Sequence, residues 1–178
     1  VEGEVDGRRL RLGSPDWLGI GADPAVIALQ QAGKTVMVLA EGAEVLALFA
    51  VADALRPTSK AAVRRLRERG IRVVMLTGDN AATAAAIAAE AGIDEFRAGI
   101  LPGDKAAAVV ELKAGGGLVA MVGDGINDAP ALAAADVSFA IGAGSDAAVE
   151  AADLTLIRSD LSGVDDAIAL STATLGKI

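Results

Sequence analysis

Polar and apolar residues alternate from Val1 to Leu12 around Asp6-Gly7, which predicts a β-hairpin. Asp23-Pro24 opens a short predicted helix through Leu29, stopped at Gly33. Thr35 to Ala40 and Val45 to Ala52 are apolar runs joined by Glu41-Gly42-Ala43-Glu44, a second predicted hairpin. The pattern changes near Asp53-Ala54-Leu55-Arg56-Pro57, after which apolar runs alternate with helical periodicity. Helices are predicted from Thr58 to Arg69, Asn80 to Ala91, Lys105 to Lys113, Ser145 to Ala152 and Ser162 to Leu175. The last opens with Ser162-x-x-Asp165, a capping-box pattern. Strands are predicted from Arg72 to Leu76, Leu118 to Val122, Val137 to Ile141 and Leu154 to Ile157. Such alternation predicts an α/β fold with a parallel sheet covered on both faces, preceded by an antiparallel segment. We place the boundary at about residue 53, giving domains 1–52 and 53–178.

Composition narrows the chemistry. A net charge of −8 argues against nucleic acid as partner, because phosphate backbones need a basic face. The chain has no cysteine and no histidine, which excludes disulfides, Cys/His zinc sites and Ser-His or Cys-His catalytic pairs. Acid–base work falls to carboxylates, lysine or water. Asp53, Asp124, Asp128 and Asp136 interrupt the apolar runs, so no stretch of about 20 apolar residues spans a membrane. Val1-Glu2-Gly3-Glu4 has no secretory signal pattern, and the chain reads as part of a longer one.

Two loops at strand ends carry candidate chemistry. Gly123-Asp124-Gly125-Ile126-Asn127-Asp128-Ala129-Pro130 follows the strand ending at Val122. Open α/β sheets bind ligands at the carboxyl ends of their strands, and hard oxygen donors there suit Mg²⁺ and phosphate. An ordinary turn is the alternative, since Gly, Asn, Asp and Pro are turn formers. Thr77-Gly78-Asp79-Asn80 follows the strand ending at Leu76 and offers a hydroxyl, a flexible glycine and helix N-terminal amides to an anion. A plain helix cap explains those residue types equally well. Lys105, at the start of the next helix, is unfavourable to the helix dipole. A phosphoryl group needs donors such as Thr77 and Lys105, and a metal held by Asp124, with Asp128 as a second candidate, to offset its charge.

With these motifs in this order, the chain resembles a P-type ATPase of the heavy-metal-transporting branch, within the haloacid-dehalogenase-like superfamily. Met75-Leu76-Thr77-Gly78-Asp79-Asn80, Pro102-Gly103-Asp104-Lys105 and Met121 through Pro130 match the motifs of that family's phosphorylation domain. Asp53-Ala54-Leu55-Arg56-Pro57, Ala140 through Asp146, and Glu150-Ala151-Ala152-Asp153 also fit. The resemblance implies a Rossmann-like parallel sheet preceded by part of an antiparallel nucleotide-binding subdomain. It implies an ATP-driven, Mg²⁺-dependent metal pump working through an aspartyl phosphate, with this segment on the cytoplasmic side of a membrane protein and itself soluble. The rest of the pump and ATP are the implied partners. The implied roles place Thr77 and Gly78 on the transferred phosphoryl group, with Lys105 neutralising it and Asn127 contacting it. Asp124 ligates Mg²⁺, and Asp128 supports the metal site. Asp79 lies near the nucleotide, and Gly13 and Ser14 align with a Gly-Asn pair that contacts it, Ser14 replacing the Asn. Asp53 and Arg56 belong to the interdomain hinge.

The family's nucleophile, an Asp in an Asp-Lys-Thr-Gly-Thr motif, is absent from this sequence, as is the adenine-binding His-Pro pair. In the family fold the nucleophile's strand lies between the strands ending here at Leu76 and Val122. The expectation is therefore two unpaired strand edges, low stability of the isolated chain and no phosphoenzyme. A soluble phosphatase of the same superfamily, using the same Thr, Lys and Asp, is the enzyme alternative. A non-catalytic regulatory module is the other. Gly142-Ala143-Gly144-Ser145-Asp146-Ala147 fits a dinucleotide fingerprint, but a tight turn into a helix is expected there. The basic run Lys60, Arg64, Arg65, Arg67 and Arg69 is expected to be a solvated helix face.

Overall fold

A computed structural model describes residues 1–52, 55–142, 146–158 and 160–177. The chain begins with the antiparallel strands β1 (Glu2–Val5) and β2 (Arg8–Gly13), whose turn places Asp6 and Gly7 at positive φ. Next come α1 (Pro24–Gln31), β3 (Thr35–Glu41) and β4 (Glu44–Val51). The four strands form one sheet in the order β1-β2-β3-β4. Period-two alternation in β3 buries Val36, Val38 and Ala40 on the face packed by α1 and its buried Val26. The opposite face leaves Met37 and its cross-strand partner Phe49 exposed.

The remaining elements are α2 (Pro57–Glu68), β5 (Val74–Leu76), α3 (Ala81–Ala91), β6 (Glu95–Arg97), α4 (Lys105–Ala114), β7 (Ala120–Gly123), α5 (Ala129–Ala134), β8 (Val137–Ile141), α6 (Asp146–Ala151), β9 (Leu154–Leu156) and α7 (Ser162–Leu175). Every strand pairing here is parallel, so the expected α/β class with an antiparallel segment ahead of it is what the chain adopts. The short strand β6 and the six-residue helix α5 lack a clear periodic signal and were not anticipated. The parallel strands form two groups, β5-β6 and β7-β8-β9. Among the described residues, β5 and β7 each stand at the end of a group with one open edge.

The core is built from small side chains. Helix α3 buries Thr83, Ala84, Ala88 and Ala91, and this slim surface lets α1, α2 and β6 pack against it. Leu132, Phe139, Val109 and Ala148 fill the space around β8. Helix α7 reaches back to α2 through Asp165, which is only 5% exposed. Its carboxylate lies 3.3 Å from Arg65 Nε and 2.5 Å from Arg69 Nε. This corrects two expectations. Asp165 does not close a capping box; Asp160 instead accepts from the Ser162 amide at 2.9 Å. Nor is the basic face of α2 simply solvated, because Arg65 and Arg69 hold a buried carboxylate and Arg67 pairs with Asp94. A buried carboxylate needs such cations, since desolvation without a partner costs several kcal/mol, roughly.

Candidate functional site

The site grows from the carboxyl ends of β5, β6 and β7. Thr77 leaves β5 with its amide donating to the Arg97 carbonyl at 3.0 Å, one rung beyond the β5–β6 ladder. The loops after β5 and β6 are then stitched together. Gly99 N–H donates to the Asp79 carbonyl at 2.7 Å, and Ile100 N–H to the Thr77 carbonyl at 3.0 Å. A Cβ on Gly78 would stand 3.4 Å from the Ile100 carbonyl, at the edge of ordinary contact.

Helix α3 starts immediately after this loop, and its cap is Asn80. The Asn80 side chain accepts from the Ala82 and Thr83 amides, each at 3.0 Å. Capping thus falls to Asn80, and Thr77 and Asp79 are left for other bonds. They bond to each other: Thr77 Oγ1 donates to Asp79 Oδ2 at 2.8 Å, while the Asp79 amide donates to Thr77 Oγ1 at 3.1 Å.

Beyond Ile100 the chain makes a single 3₁₀ turn over Pro102–Asp104 and enters α4 at Lys105. Lys105 Nζ reaches across to Asp128 Oδ1 at 2.7 Å, with side-chain exposures of 20% and 11%. That contact joins the β6 side of the molecule to the loop after β7. Asp128 closes its own loop as well, its Oδ2 accepting from the Asp124 and Gly125 amides at 3.3 and 3.4 Å. Gly123 makes this possible, because a Cβ there would lie 2.7 Å from Asp128 Cβ. Thr77, Gly78 and Asp79 are thus bonded to the loop after β6, which runs on to Lys105, and Lys105 in turn is bonded to the loop of Asp124 and Asp128, as the strand order allows.

Asp124 and Asn127 are exposed on the same loop. Among the described residues no group of three or more His, Cys, Asp or Glu forms a metal cage. An exposed Asp124 carboxylate is the kind of oxygen donor Mg²⁺ takes, since that ion is commonly held by one or two carboxylates together with water and substrate phosphate. Asp124 is the carboxylate available to such an ion. Asp128 shapes the loop through Oδ2 and holds Lys105 through Oδ1.

Gly13 and Ser14 lie at the end of β2, away from these loops in sequence and element. Gly13 is shaped by packing: a Cβ would meet the Trp17 ring at 2.5 Å. Ser14 Oγ accepts from the Trp17 amide at 3.3 Å. Arg56 is the residue before α2, in extended backbone. Asp53 lies outside the described residues, as do Ala143, Gly144 and Ser145 of the glycine-rich turn after β8.

Sequence reasoning assigns Thr35 no part in this site, yet its Oγ1 donates to Asp79 Oδ1 at 2.9 Å. Only its place at the start of β3, just after Gly33-Lys34, hinted at it. Asp136 is another. It accepts from the Val119 amide at 2.9 Å and pairs with Lys113 Nζ at 2.9 Å, fixing α4 to the start of β7. These donors hold its carboxyl below the usual aspartate range, the Val119 hydrogen bond contributing most.

A sequence profile described as haloacid dehalogenase-like hydrolase matches residues 2–136, three-quarters of the chain. The chain belongs to the haloacid dehalogenase-like hydrolases. Within that family it is 49% identical over its whole length to the probable copper-transporting ATPase PacS of Synechococcus elongatus, covering 25% of that protein. It is 53% identical over 84% of its length to a copper-exporting P-type ATPase of Bacillus subtilis, covering 19% of that protein. The chain thus spans a quarter or less of these relatives. A crystal structure of a zinc-transporting PIB-type ATPase in its E2.Pi state superposes with a TM-score of 0.72 at 40% identity. It covers 98% of this chain and 29% of that one. No helix among the described residues of this haloacid dehalogenase-like chain is long and apolar enough to cross a membrane.

Proposed function

We propose that this chain is the phosphoryl-handling part of an ATP-driven heavy-metal pump and that the residue phosphorylated lies on a strand outside it. The ion pair between Lys105 and Asp128 carries this reading, because it draws a half-buried cation to the loop that bears Asp124. Thr77, Gly78 and Asn127 supply donors to the equatorial oxygens of a transferring phosphoryl group, and Lys105 neutralises its charge. Asp124 holds Mg²⁺, which when bound offsets phosphate charge. Asp128 keeps the Lys105 ammonium in place until a phosphoryl oxygen competes for it. Asp79 stands on the nucleotide side, Gly13 and Ser14 contact nucleotide, and Asp53 and Arg56 form the hinge between segments 1–52 and 53–178.

The open edges of β5 and β7 support the missing-strand part of the proposal. A parallel strand inserted there would pair on both sides and bring its carboxyl end to the Thr77 and Asp124 loops. Names of the similar proteins differ in metal, copper for the two relatives and zinc for the crystal structure, so the cargo is proposed only as a heavy-metal cation. Mg²⁺ with orthovanadate should shift the Thr77, Gly78 and Asp124 amide signals only when both are present; no shift in a folded sample overturns the site. With an Asp-Lys-Thr-Gly-Thr segment supplied in trans, ATP should yield an acid-stable, hydroxylamine-labile phosphoenzyme. Turnover of phosphate esters by the chain alone would favour the soluble phosphatase instead.

A further inference from the structure

The antiparallel unit touches the Thr77 loop through a chain of polar contacts that the phosphoryl chemistry does not use. Thr83, fully buried, donates through Oγ1 to the Lys34 carbonyl at 3.0 Å. One residue further on, Thr35 Oγ1 donates to Asp79 Oδ1 at 2.9 Å. The other Asp79 oxygen accepts the Thr77 hydroxyl at 2.8 Å. A hydroxyl has one proton, so the direction of the Thr77 O–H follows the position of Asp79. The free side of that carboxylate is held by Thr35.

We propose that Thr35 is a positioning residue for the phosphoryl-binding loop. Docking of the antiparallel unit fixes the Asp79 carboxylate and, through it, the rotamer and proton of Thr77. The proposal rests on the preceding one for the meaning of Thr77 as a phosphoryl donor; the Thr35–Asp79–Thr77 linkage itself does not. Coupling runs both ways. A ligand that takes the Thr77 proton loosens Asp79, and undocking frees Thr77.

The test is Thr35→Val in the whole chain, which removes the hydroxyl at an exposed strand position and keeps β-branching. Three-bond couplings to the Thr77 methyl carbon report its χ1, and amide exchange reports Asp79. The expected result is Thr77 moving from one rotamer to an average. Asp79 exchange should accelerate about three- to tenfold, the factor of one net hydrogen bond. Thr35→Ser should restore both, and Thr35→Ala gives the same readouts should the valine variant fold poorly. A merely structural Thr35 would shift the urea midpoint and leave the Thr77 couplings and Asp79 exchange unchanged, which overturns the proposal. Failure of wild-type chain to bind Mg²⁺ with orthovanadate would remove the phosphoryl reading, while the Thr77 couplings still decide the role of Thr35.

Discussion

Gly123→Ala should damage the site by sterics alone. Gly123 is the last residue of β7, and its φ is not positive, so the backbone accepts alanine. What alanine meets is Asp128: 2.7 Å to Cβ, 2.9 Å to Oδ2 and 3.0 Å to Cγ. The nearest atom is fixed to the main chain, so rotating the Asp128 side chain does not relieve it. The turn over Ile126–Asp128 must shift instead. Overpacking of this kind costs about 1–3 kcal/mol, and loss of the charge-assisted bond to Lys105 about 1.5–3 kcal/mol more. Because part of the shift can be shared, the expected total is about 2–4 kcal/mol. In urea, followed by circular dichroism, the midpoint should fall by about 1–2 M. Adding Asp128→Ala should not rescue it, because alanine keeps the offending Cβ. In an Asp128→Gly background, where the offending Cβ and the bond to Lys105 are both already gone, Gly123→Ala should cost almost nothing further. A midpoint within about 0.3 M of wild type, or full rescue by Asp128→Ala, would refute the steric argument.

Other outcomes follow from the same geometry. Asp165→Asn should cost about 1–2 kcal/mol, since Arg65 and Arg69 are 42% and 39% exposed and can rehydrate. The pair Arg65→Met and Arg69→Met should cost about 3–5 kcal/mol, because it strands the buried carboxylate; the opposite order in thermal unfolding would sink this account. Asn80→Ala should lose about 1–2 kcal/mol by uncapping α3, read by urea titration. Asp136 has a folded pKa below its ordinary 3.8, so its stabilisation is present above that value and disappears as pH falls through the lower folded one. Asp136→Asn should therefore flatten the acid limb of a stability profile recorded from about pH 6 down to about pH 2; an unchanged limb counts against the Lys113–Asp136 tether. Lys105→Met should abolish Mg²⁺-dependent orthovanadate binding while Lys113→Met retains it, as judged by calorimetry.

Local signals served well where chain neighbours decide the outcome. Asp6-Gly7 turned the first hairpin and Asn80 capped α3, whereas the continuous apolar run of β3 did not say which of its residues face α1. β6 and α5 escaped because three and six residues hold too little periodicity to register, and their places come from neighbours. Ser162-x-x-Asp165 misled because a local cap lost to two arginines almost a hundred positions away in the chain.

The sequence by itself determined the order of the chemistry: a hydroxyl loop and an acidic glycine-rich loop, each at the end of an apolar run, with a lysine at a helix start between them. It could do so because turn residues and strand length act within a few positions. Tertiary structure alone decided how those pieces are used. It tied Asp128 to Lys105 and to its own loop, left Asp124 open, and brought Thr35 to Asp79 across 44 positions. Pairings at that separation leave no period or spacing in a sequence. They are chosen by which strand ends the parallel topology gathers and by the cost of burying a charge without a partner.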